Sequence, residues 1–245
     1  MKKVIFAIFL ISCSLFGTTI KVAVAANVSY AIDDLKKEFN KKHPDIKVQA
    51  ILGSSGKLTA QIKNKAPFDI FLSANMLYPN SLYHDRVAIT KPVVYASGSL
   101  AILTTKGFDL SKGLEVLKDK KIIKIAVANP KTAPYGIATK EALEKIGMYK
   151  EIKSKLVYGE SISQTVTYAV NATDIGIIAK SALFNPKLSH FKKKKNWVEI
   201  DSKLYTPIKQ GIVLIKSNSD TKAFYDFILS DNAKKVFKKY GYIVE

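Results

Sequence analysis

Cysteine is nearly missing from this chain of 245 residues: the only one is Cys13, inside an apolar run near the N-terminus. A lone thiol placed there excludes a disulfide framework and leaves no thiol nucleophile in the remainder. Histidine is scarce as well. His43 precedes Pro44 at a helix end, His84 falls in a stretch that reads as a polar loop, and His190 lies beside a lysine run. No two stand one helical turn apart and none has a patterned carboxylate, so neither a zinc site nor a catalytic triad is indicated. A second long apolar run is also lacking, so no internal segment reads as a membrane-crossing helix. Arginine is rare, because nearly all of the 39 basic residues are lysine. They are scattered over helical faces such as 34–42 and 232–239, without the concentrated footprint that a nucleic-acid partner requires. The densest run, Lys192 to Lys195, reads as a solvated turn. Against 20 acidic residues the net charge is +19, a long-range field that draws anions or an acidic surface.

What is present begins with an export signal. Lys2 and Lys3 precede an apolar segment from Val4 to Phe16 that is too short to span a bilayer. The small residues Gly17 and Thr18 place its end near residue 18, and the mature protein is expected outside the cytoplasm. Leu10-Ile11-Ser12-Cys13 loosely resembles a lipoprotein processing site, which keeps a lipid anchor on Cys13 open as the alternative.

Beyond the signal, hydrophobic patterning predicts strands at 21–25, 46–52 and 68–73. Between them lie a helix capped by Ser29, with Ala31, Ile32, Leu35 and Phe39 as its apolar stripe, and a second helix over 57–63. The pattern resumes with strands at 100–104, 123–128, 156–158 and 175–179 and helices at 138–146 and 163–171. A late strand at 211–215 leads to two closing helices, 221–229 and 232–240, with Gly241 as the stop. Strand–helix alternation implies mainly parallel sheets with helices on both faces. The expected fold is α/β and two-lobed, with a hinge and an interlobe cleft; one large doubly wound domain is the alternative. The chain should cross between lobes near 95–99 and 205–210. This gives a signal over 1–18, a first lobe over 19–97 and 209–245, and a second lobe over 98–208.

Three strand-to-helix junctions carry the chemistry. They are Ala25-Ala26-Asn27-Val28-Ser29, Gly53-Ser54-Ser55-Gly56-Lys57-Leu58, and Asn129-Pro130-Lys131-Thr132-Ala133-Pro134-Tyr135-Gly136. Ligands of open α/β sheets bind outside the carboxyl ends of the strands. The first N–H groups of a helix lack internal acceptors and sit at its positive end, ready for an anion. The second junction fails as a phosphate loop, because only two residues separate its glycines where four are needed. It also fails as a nucleophile elbow, since Gly56 comes one residue early and the serines have no base. The remaining use is non-covalent: hydroxyl and backbone donors around an oxyanion that must be released again, by a protein that is no enzyme and needs no cofactor.

These junctions, together with Lys65 to Ala74, Thr173 to Ala182, Tyr205 to Gly211 and the closing helices, resemble the periplasmic molybdate-binding proteins of ABC importers, over essentially all of the mature chain. The resemblance implies a type II periplasmic-binding-protein fold and high-affinity binding of molybdate and also tungstate. It further implies delivery to a membrane permease driven by a cytoplasmic ATPase, with the binding protein acting as a monomer. A sulfate or thiosulfate binder of the same fold is the alternative. The metal is contained in the oxyanion, so no residue ligates it directly. Carried over position by position, the ligand residues are Ala26, Asn27, Ser55, Tyr135 and Ile162, with Ser54 and Ser73 as secondary candidates. The Asn27 amide takes the place of a serine, and Ile162 supplies a backbone N–H. Ala179 stands where some members carry a donating tyrosine, and the Tyr135 hydroxyl is the candidate replacement.

Overall fold

A computed structural model describes residues 18–245. The expected signal and the Cys13 lipidation site lie outside the described residues. Ten strands form two five-stranded sheets. The first contains β1 (Thr18–Ala25), β2 (Ile46–Gly53), β3 (Ile70–Leu72), β4 (Val93–Gly98) and β10 (Ile208–Leu214), in the order β2-β1-β3-β10-β4. The second contains β5 (Leu100–Leu103), β6 (Ile125–Ala128), β7 (Leu156–Gly159), β8 (Ile175–Ala179) and β9 (Trp197–Glu199), in the order β7-β6-β8-β5-β9. In each sheet one strand is reversed. It is β10 in the first, antiparallel to β3 and β4, and β5 in the second, antiparallel to β8 and β9. Each reversed strand follows directly on a passage from the other sheet. The chain passes from β4 to β5 through Ser99 alone and returns into β10 after residues 200–207.

Helices α1 (Ile32–Asn40), α7 (Ser219–Leu229) and α8 (Asp231–Lys239) cover one face of the first sheet, and α2 (Ser55–Lys63) and α3 (Leu77–His84) the other. The period-two alternation of β1 divides these cores. Ile20, Val22 and Val24 face Leu35, Phe39, Phe224 and Phe237, while Ala23, with Phe71 beside it on β3, faces Leu58 and Ile62. Helices α4 (Pro134–Lys145), α5 (Tyr149–Ile152) and α6 (Ile162–Asn171) serve the second sheet. The closing helices start and stop on local chemistry. Asn218 accepts the Asp220 and Thr221 N–H groups while Thr221 Oγ1 accepts that of Asn218, forming a capping box. Gly241, with φ at 72°, follows α8 in a left-handed turn.

Two local expectations are corrected. Ser29 caps no helix: residues Ala26–Tyr30 first curl into a 3-10 turn, and α1 starts at Ile32 without a side-chain cap. The tight turn carries Asn27 and Val28 inward and closes with the Ala31 N–H on the Val28 carbonyl at 2.9 Å. His84 is not in a loop but ends α3, a short helix that accommodates Pro79 because its first turn needs no N–H from that residue. No helix among the described residues is long and apolar enough to cross a membrane.

Candidate oxyanion site

The strand ends expected to hold a ligand face each other across the two sheets. Ala26 and Asn27 follow β1, Ser54 and Ser55 follow β2, Tyr135 is the second residue of α4 after β6, and Ile162 opens α6 after β7. All six are buried, between 0% and 4% exposed. Their loops touch. The Gly56 N–H donates to the Thr132 carbonyl at 2.9 Å, and Lys57 pairs with Glu160. Ala25, Ala26 and Ala74 share one apolar cluster with Ala133, Tyr135 and Ile162. Gly56 has no room for a side chain, since a Cβ would lie 2.9 Å from the Thr132 carbonyl oxygen.

Hydrogen bonding sorts the candidates. Ser55 Oγ accepts the Ala74 N–H at 2.9 Å, so its own proton remains free to donate. Ser54 occupies the N-cap position of α2 yet makes no capping bond. Among the described residues, three buried side-chain polar atoms have no partner: Ser54 Oγ, Thr132 Oγ1 and Asn27 Oδ1. Each lies on one of the three junctions singled out in the sequence. The Ser73 hydroxyl is tied to its own turn, donating to Asn75 Oδ1 and accepting the Asn75 N–H, both at 3.3 Å. Ser55, Tyr135 and Ile162 stand in first helical turns, where backbone N–H groups have no intrahelical acceptor.

Asn27 and Tyr135 are brought into the site differently from expectation. Both amide hydrogens of Asn27 are engaged, with Gln210 Oε1 and the Tyr242 hydroxyl, each at 2.9 Å. Tyr242 returns its proton to the Asn27 carbonyl at 2.8 Å. The Tyr135 hydroxyl reaches the strands where the chain passes between sheets and accepts from Gln210 Nε2 at 3.3 Å. Burial pushes the Tyr135 and Tyr95 hydroxyls well above the usual phenol range, with neighbouring tyrosines adding to the effect, and Tyr242 is raised by burial too. All three stay protonated, and Tyr95 and Tyr242 donate, to Gln210 Oε1 and the Asn27 carbonyl. Ala179 ends β8, fully buried, and two residues on the Ser181 hydroxyl donates to the Asn27 carbonyl at 3.3 Å. Gln210, Tyr95, Tyr242, Thr132 and Ser181 were given no role from sequence. Thr132, Ser181 and Gln210 fall within stretches that carry the family resemblance, but pairings of such long range leave no local pattern that assigns them a role.

A family model described as bacterial extracellular solute-binding protein matches residues 20–243. The chain belongs to that family. It is a solute-binding protein and not an enzyme. It is 33% identical over 238 residues to the molybdate-binding protein ModA of Azotobacter vinelandii, covering 95% of this chain and 93% of the relative. It is 32% identical to the molybdate-binding protein ModA of Rhodobacter capsulatus, covering 91% and 87%. The solved periplasmic molybdate-binding protein of Azotobacter vinelandii superimposes with a TM-score of 0.85 at 27% identity, covering 92% of this chain and 99% of that one. The two-lobed periplasmic-binding-protein fold is thereby the fold of this solute-binding protein.

Proposed function

We propose that this solute-binding protein captures molybdate, and tungstate, in the cleft between its sheets. It acts outside the cytoplasm as a monomer with one ion per chain and hands the ion to an ABC permease powered by a cytoplasmic ATPase. The observation that carries this reading is the pair of unpartnered buried hydroxyls, Ser54 Oγ and Thr132 Oγ1, on strand-end loops of the two lobes, beside a Ser55 hydroxyl whose proton is free; the unpartnered Asn27 Oδ1 is an acceptor and does not serve an anion. Buried polar groups without partners are costly, so such a cluster calls for a polar ligand to complete it. The two unpartnered hydroxyls can turn their protons to the ion. The Ser55, Tyr135 and Ile162 N–H groups, with those of Ala26 and Asn27, supply fixed backbone donors. Neutral donors hold a dianion without the desolvation cost of a buried lysine.

The lobes of this reading are 19–97 with 209–245, and 98–208, joined by the passage between β4 and β5 and the passage into β10. A ligand touched from both sides favours the closed arrangement. Isothermal titration with molybdate, tungstate, sulfate and phosphate tests the reading. Molybdate and tungstate should bind tightly and sulfate weakly, because a smaller ion cannot reach all donors at once. A sulfate heat with no molybdate heat overturns it in favour of the sulfate class.

A further inference from the structure

The centre of the hydrogen-bond network is not a ligand-loop residue but Gln210, a fully buried amide on β10, the strand by which the chain returns to the first sheet. Its Oε1 accepts from Tyr95 of β4 at 2.8 Å and from Asn27 of the first ligand loop at 2.9 Å. Two donors on one oxygen fix the amide, because a flipped Gln210 would turn N–H groups against N–H and O–H groups. Nε2 is thereby aimed at the Tyr135 hydroxyl, 3.3 Å away on the helix of the second lobe. The backbone is shaped for this meeting. The β10–β4 register shifts between Gln210 and Gly211, a bulge of the kind that re-aims a side chain. On the facing strand, Gly98 leaves open the space that Tyr135 and Gln210 fill: a Cβ there would lie 2.0 Å from the Tyr135 hydroxyl and 2.8 Å from Gln210 Nε2.

We propose that Gln210 is the positioning residue that couples the first ligand loop to the third, stapling Asn27 and Tyr135 together at the hinge so that the closed cleft holds its ion. The assignment rests on the oxyanion reading above, and Gln210 itself touches no ligand. It keeps the Asn27 loop and the α4 N-terminus at a fixed separation, and with them the backbone donors on both sides. Without the staple the ion still enters, but the lobes part more readily and release it.

The test is a double-mutant cycle read in rates. Gln210→Met keeps the length and removes both polar ends. Tyr135→Phe keeps the ring and cuts the same bond from the other lobe. Binding of molybdate is followed by titration and stopped-flow fluorescence on the full mature protein, with thermal melting of each variant as the control for folding. Each single substitution should weaken affinity about tenfold, the scale of one buried hydrogen bond. The loss should fall in the dissociation rate, with the association rate unchanged, and the second substitution should add less than about twofold to the first. Parent-like affinity in either variant, a loss carried by association, or full additivity overturns the assignment. If Gln210→Met fails to fold, Tyr135→Phe alone decides by its affinity and its rate split. Absence of molybdate and tungstate heat in the parent protein overturns the oxyanion reading and the assignment with it, a result distinct from a binding parent with silent variants.

Discussion

The two sheets are built on one plan yet equip their ligand edges differently. In the first, Asp69 precedes β3 and accepts the Lys21 N–H at 2.7 Å, tying the middle of β1. In the second, Asp174 precedes β8 and accepts the Ile123 and Lys124 N–H groups, each at 2.8 Å, tying the foot of β6. The strand orders correspond and so does the position of the reversed strand. At the other end of the strands the likeness stops. The first lobe brings two hydroxyls, Ser54 and Ser55, whereas the second brings one, Thr132, together with Ile162 at the start of α6, whose side chain has nothing to donate. The comparison teaches that a common frame fixes where the strand ends converge, while the hydroxyl side chains at those ends are weighted toward the first lobe.

Substitutions can break this contrast. The largest effect is expected for Ser55→Ala, which removes a free donor and also strands the Ala74 N–H, at a cost of about 2–4 kcal/mol in molybdate affinity by titration. Ile162→Pro comes next. Ile162 opens α6, where proline suits the helix, and the extended Ser161 before it, at ψ 164°, tolerates a following proline. Loss of that single N–H should cost about 1.5–3 kcal/mol in affinity while helix content by circular dichroism is retained. Ile162→Val should bind like the parent, and a large loss there would show that the side chain, not the backbone, carries the contact.

The shared frame gives a smaller effect, on stability and not on binding. Asp174→Ala leaves two backbone N–H groups unpaired and should lower unfolding stability by about 1–3 kcal/mol in urea. Burial alone would raise the Asp174 carboxyl, but the Lys106 ammonium and the two N–H groups outweigh it and hold the pKa at about 2. Because the folded value lies below the unfolded one, its stabilisation is complete above roughly pH 4 and is lost as pH falls through the folded value near 2. The variant should therefore lack that part of the acid transition. The smallest effect is that of Lys57→Gln. The Lys57–Glu160 pair bridges the lobes with both side chains about half exposed, so its loss should cost less than about 1 kcal/mol and vanish at high salt.

How much of this was legible in the sequence follows from the range of the interactions. Strands such as Ile175–Ala179 and helices such as Thr221 to Leu229 were readable because their apolar periods are local. The three junctions were readable because strand ends, small residues and helix starts adjoin in sequence. The first-turn detail at Ser29 was not, because a buried Asn27 and Val28 impose a 3-10 turn that tertiary packing alone decides. Nor was the role of Gln210, whose partner Asn27 is 183 positions away. The lobe that a tyrosine hydroxyl points into cannot be read from the tyrosine; it depends on Gly98 having made room.

The place of β10 has a consequence for the birth of the protein. In the first sheet it lies between β3 and β4, so two strands made early are joined only by one made late. The second sheet needs nothing beyond residue 199 to close its own ladder. A chain emerging from its N-terminus can therefore complete its second half while its first half still waits. Non-local pairing of this kind is slow, since loop closure must precede the contacts that reward it. The same late strand carries Gln210. Completion of the first sheet and arrival of Gln210 thus come together, and no half-made chain carries both lobes finished.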